Sequence, residues 1–155
     1  MENNTSRLND LVAYIDGVRQ KMEAVISETD PSQEICPGWT IKEVIGHITA
    51  WEIVIHKAIR AFTAGDPPYF LREQDFDRFN QGAVEFRAEW PLEQVLQERK
   101  EIRLDLRKSI QALDPNLLEE ELVLPWGSER TLAELIEILG EHESEHMENI
   151  NKVTS

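Results

Sequence analysis

Seven prolines, Pro31, Pro37, Pro67, Pro68, Pro91, Pro115 and Pro125, cut this chain into intervals. Proline lacks a backbone N–H and clashes with the turn before it, so helix interiors exclude it. The long intervals between the prolines carry apolar residues three and four apart, the spacing of one helix face.

The first such stretch runs from about Leu8 to Ser27, with Leu8, Leu11, Val12, Ile15, Met22, Val25 and Ile26 on one side. The second opens at Thr40, where Glu43 three residues on fits a capping box. Its face is Ile41, Val44, Ile45, Ile48, Trp51, Ile55, Ile59 and Phe62, and Gly65-Asp66-Pro67-Pro68 ends it. A short helix is expected over Asp75 to Ala88, with Phe76, Phe79, Ala83 and Phe86 together. Pro91 suits a helix start, and Leu92, Val95, Leu96, Ile102, Leu106, Ile110 and Leu113 follow before Asp114-Pro115. Residues 116–130 read as irregular, with Leu122 to Trp126 as an alternative extended piece. Thr131 and Glu134 repeat the capping-box spacing before the last helix, which carries Leu132, Leu135, Ile136, Leu139 and Ile150 and runs to about Asn151.

No run alternates with period two, so no sheet is expected. Four amphipathic helices bury their stripes best against one another, which gives an all-α four-helix bundle as one domain over residues 1–155. The second and third connections are long enough for parallel neighbours, so an up-down-up-down order is not required.

Sixteen basic residues stand against thirty acidic ones, a formal net charge of −14. That field repels phosphate backbones, and the expectation is no nucleic-acid partner. No apolar run approaches the roughly 20 residues of a membrane span, so no membrane partner is expected. The single Cys36 permits no intrachain disulfide, and the amino-terminal residues lack the pattern of a signal peptide; together they point to a cytoplasmic setting.

The four histidines carry the chemical signal. His142 and His146 are four apart and stack on one helix face, in line with Leu135, Leu139 and Ile150. His47 sits at the edge of the second helix's apolar face, and a bundle can bring it opposite the pair. Three imidazoles can hold zinc with a position left open, and nickel, iron or cobalt also accept imidazole. The competing reading is a solvated helix end, since Glu141-His142-Glu143-Ser144-Glu145-His146 is polar. His56 reads as a surface residue and Cys36 as unreactive. Trp51 reads as core packing, or as a wall beside His47. Arg99 interrupts an apolar stripe and needs a carboxylate partner, or anchors an anionic substrate. Phe86, Trp90 and Trp126 read as core aromatics or as part of an interface.

The stretch Gly38 to Glu52, with Trp39-Thr40, Glu43, His47 and Trp51, resembles the first histidine motif of the DinB/YfiT-like superfamily. Leu135 to His146 is similar to its second motif. The resemblance spans nearly the whole chain. It implies an up-down-down-up four-helix bundle, a divalent metal ion held by His47, His142 and His146, and a homodimer. Relatives of that kind include transferases and isomerases using mycothiol or bacillithiol, and a hydrolase-type resistance protein. The resemblance thus implies a metal-dependent hydrolase or thiol transferase acting on an electrophilic small molecule, with zinc or nickel and a low-molecular-weight thiol as cofactors. Glu43, one turn before His47, is the candidate proton acceptor, although its place in the capping box competes with that role. The alternative is a non-catalytic dimeric bundle whose metal site is structural or vestigial.

Overall fold

The computed structural model describes residues 2–154. Among them the elements run α1 (Glu2–Glu28), α2 (Ile41–Ala64), α3 (Phe76–Phe86), α4 (Leu92–Gln111), a 3-10 turn (Pro115–Leu117), β1 (Glu121–Val123), β2 (Glu129–Thr131) and α5 (Leu132–Thr154). Both expected capping boxes form. The Thr40 N–H donates to Glu43 Oε1 at 3.4 Å, and the Thr131 N–H to Glu134 Oε1 at 3.0 Å. Gly65 ends α2 at φ 73, a left-handed conformation that favours glycine. Asp75 accepts from the backbone N–H groups of Asp77 and Arg78 and so starts α3. The first helix begins earlier than its apolar stripe because residues before Leu8 are polar and leave no periodic mark.

The expectation of no sheet is corrected by a small one. Glu121 pairs with Thr131 and Val123 with Glu129 in an antiparallel hairpin. Its turn is closed by the Leu124 N–H to the Ser128 carbonyl, 2.7 Å, with Gly127 at φ 97. Three-residue strands are too short for alternation to appear in sequence.

The four long helices share a core in two apolar clusters. One joins Leu8, Leu11 and Ile15 of α1, Ile55 and Ile59 of α2, Leu106 and Ile110 of α4, and Leu132 to Leu139 of α5. The other joins Met22, Ile41, Ile45, Ile48, Val95 and Ile150. The first halves of α1 and α5 therefore meet the second halves of α2 and α4. Each fully buried aliphatic side chain contributes about 1.5–3 kcal/mol.

A charged layer lies between the clusters. Glu52 accepts from Arg19 Nη2 at 2.7 Å and from Arg103 Nε at 2.5 Å. Glu143, fully buried, lies 2.9 Å from both Arg19 Nε and Arg99 Nη2. Arg99 also donates to Glu23 at 3.0 Å, so its expected carboxylate partner exists. Burial pushes the Glu52 carboxyl up, but Arg103 and Arg19 outweigh it and hold the group below the usual carboxylate range.

Candidate metal centre

The first third of α2 presents His47, and the central part of α5 presents His142 and His146 one turn apart. The α-helical rise per turn stacks the latter two on the side facing α2. His47 Nε2 and His142 Nε2 are 3.1 Å apart, and so are His146 Nε2 and His142 Nε2. One nitrogen from each ring lies within 4.8 Å of the others. Three nitrogens about 2.0–2.1 Å from a tetrahedral zinc sit about 3.3 Å from one another, so the donor set fits such an ion.

The rings are also in the right charge state. Burial, followed by the neighbouring His142 and His146, pushes His47 down to about 3, against a smaller upward pull from Asn80. Burial, then His146, pushes His142 down to about 4, with Glu52 pulling upward. His146 is lowered by burial, opposed by Glu145. Neutral imidazoles keep lone pairs at neutral pH, and a cation among them relieves the repulsion of lone pairs at this spacing. His47 Nδ1 is buried with no hydrogen-bond partner.

A cavity of about 410 Å³ opens over the three rings. Trp51, one turn past His47, forms part of its wall and also packs on Phe79 at 4.6 Å, so packing and lining are one role. Trp51 Nε1 donates to Asn80 Oδ1 at 2.9 Å, which fixes the indole. Phe76 and Asn80 come from α3, Trp126 from the hairpin turn, and Glu141 and Glu145 from the outer side of α5. Sequence reasoning did not assign Phe76, Asn80, Glu141 or Glu145 to the site. The segment of Phe76 and Asn80 carries no ligand spacing, and only the packing of α3 over α2 brings them there, whereas Glu141 and Glu145 reach the cavity rim as neighbours of the paired histidines on α5. Arg87 holds α3 in place, donating to Glu98 at 2.7 and 2.9 Å and to the Ala83 carbonyl at 3.0 Å.

Other sequence expectations land elsewhere. Glu43 is engaged with Thr40 and borders a separate small cavity with Lys42 and Arg87, outside the residues lining the histidine cavity. His56 is half-buried rather than a free surface residue, its Nε2 2.8 Å from Ser109 Oγ. Cys36 is exposed, and partial burial followed by the charge of Glu34 raises its thiol, in keeping with low reactivity. Phe86 and Trp90 stack on each other and on Arg87, away from the histidines.

A family model described as the DinB superfamily matches residues 33–150. No curated protein matches the chain. A crystal structure of an uncharacterised protein from Escherichia coli UTI89 is similar in fold, with TM-score 0.77 and 15% identity over 94% of this chain and 91% of that one. A sibling lethal factor precursor, DfsB, superposes with TM-score 0.76 and 17% identity, covering 94% and 93%. The colibactin self-resistance protein ClbS, solved in complex with double-stranded DNA, gives TM-score 0.68 and 14% identity, covering 96% and 94%. The ClbS complex overturns the expectation of no nucleic-acid partner. That expectation rested on net charge, which sums the whole surface, whereas a duplex meets only a local patch. No helix among the described residues is long and apolar enough to cross a membrane.

Proposed function

This chain belongs to the DinB superfamily, and on that premise we propose that it is a metal-dependent enzyme, a hydrolase or thiol transferase acting on an electrophilic small molecule. The observation that carries the reading is the convergence of three neutral imidazoles, His47 buried and His142 and His146 half-buried, at the floor of an aromatic-walled cavity. His47, His142 and His146 would hold the ion. When bound, a divalent ion supplies a Lewis acid that makes water or a thiol a nucleophile at neutral pH. Asn80 and Trp51 orient the wall. Glu145 borders the cavity and its charge acts on His146, so it is placed to accept a proton, a role Glu43 is poorly placed for. Trp51, Phe76 and Trp126 exclude water from one side. One fold neighbour is a self-resistance protein, a role that fits chemistry on a toxic small molecule. The same reading takes the four long helices as an up-down-down-up bundle, supported by α1 and α5 entering the core together at one end and α2 and α4 at the other.

Metal analysis of untagged protein tests the proposal. About one zinc or nickel ion per chain is expected, with His142→Ala losing it while circular dichroism stays helical. A chain that retains no ion after loading and dialysis contradicts the reading. A His142→Ala chain that unfolds assigns the ion a structural role instead.

A further inference from the structure

The walls of the cavity indicate what charge its occupant carries. Trp51 and Phe76 meet at 85°, Trp51 and Trp126 at 80°, and Phe76 and Trp126 at 90°, with centroids 5.4, 5.8 and 6.4 Å apart. Three rings at right angles form a corner whose faces point in different directions. Aromatic faces carry the negative part of the ring quadrupole, so such a corner suits a positive group that needs no directional hydrogen bond. Phe76 is 46% exposed, so this wall is open to an incoming group. Glu141 and Glu145 border the same cavity, and no lysine or arginine is among its lining residues. Two carboxylates match the charge of one divalent ion, so the loaded cavity has no surplus positive charge with which to draw an anion.

Building on the metal-site reading, on which it rests, we infer that this cavity selects an organic cation, an amine or quaternary ammonium carried on an apolar body. The apolar part packs against Ile55 and Ile138, the positive group sits in the corner of Trp51, Phe76 and Trp126, and the rim carboxylates face it. The reacting end of the substrate then points to the three histidines.

Calorimetric titration of the full chain with benzyltrimethylammonium and with benzyl alcohol tests this, on zinc-loaded protein and on His142→Ala. The quaternary probe has no lone pair on nitrogen, so its binding reports the walls and not the ion. The expected result is about ten-fold tighter binding of the cation than of the alcohol in the zinc-loaded protein. Glu141→Gln with Glu145→Gln, both on the exposed side of α5, should cut that preference to about two-fold, and Trp126→Ala should weaken the cation more than the alcohol. Equal binding of the two probes to zinc-loaded protein, or a preference untouched by these substitutions, overturns the inference while leaving the metal site standing. Failure to retain zinc, with the cation preference still present in both proteins, overturns the metal reading and not the selectivity of the walls.

Discussion

Gly140 decides how closely α1 and α5 run. A Cβ built there would lie 2.3 Å from Tyr14 Cε2, so the tyrosine ring occupies the space of the missing side chain. Helix propensity alone predicts that Gly140→Ala stabilises by up to about 1 kcal/mol. Overpacking predicts a loss of about 1–3 kcal/mol. The expected outcome is a net loss in denaturant midpoint, turned into a gain when Tyr14→Ala is present as well. The buried charges behave differently. Glu52 is 2% exposed and serves two arginines, so Glu52→Leu should destabilise by about 3–5 kcal/mol by leaving Arg19 and Arg103 without it. Urea unfolding followed by circular dichroism measures this, and a loss under about 1 kcal/mol would mean that water or Glu143 takes over the pairing. At this scale the closeness of His142 and His146 was legible, because a four-residue spacing on one helix has a fixed geometric meaning, whereas His47 joined them only through the resemblance to a family. Asn80 was not legible, because an asparagine acquires its role only when α3 lies over α2.

Among the elements, α3 is short and has a single buried residue, Ala83, of its own. It stays on the cavity because Arg87 bridges to Glu98 of α4. Arg87→Met should therefore speed amide hydrogen exchange across residues 76–86 by about ten-fold or more, the effect of losing roughly 1.5–3 kcal/mol of charge-assisted hydrogen bonding. Metal content should stay at its native level, since the ligands ride on α2 and α5. A fall in metal content with unchanged exchange would reverse that division of roles. The long helices and both capping boxes were readable from periodicity and Thr-x-x-Glu spacing. The hairpin was only hinted at, as an extended piece from Leu122: three-residue strands have too few positions to alternate, and their pairing is specified by the turn at Gly127 rather than by a pattern.

For the molecule as a whole, acid is the informative variable. In the metal-stripped chain His47 sits at about 3 and His142 at about 4, against about 6.5 in an unfolded chain. Between these values the unfolded chain binds more protons, so stability rises with pH and is lost as pH falls through that window. Denaturant midpoints of metal-free protein should decrease steadily from pH 7 to pH 4, and a midpoint that climbed on acidification would contradict the burial of these rings. Glu52, held below the usual carboxylate range, adds a further loss below its unfolded value near 4.5. Net charge was the one whole-molecule property read directly from composition. It was also the one that misled about nucleic acid, because it carries no information on where charges sit.

The carbonyl of Pro125 accepts from the Leu71 N–H at 3.0 Å and from Gln74 Nε2 at 3.2 Å. It thereby ties the strand-to-strand turn that carries Trp126 to the segment leading into α3, which carries Phe76 and Asn80. The two covers over the histidines are thus fastened by one atom, like double doors sharing a latch. Loss of that shared acceptor should loosen both covers together, and the exchange rate of the single Leu71 amide should report it.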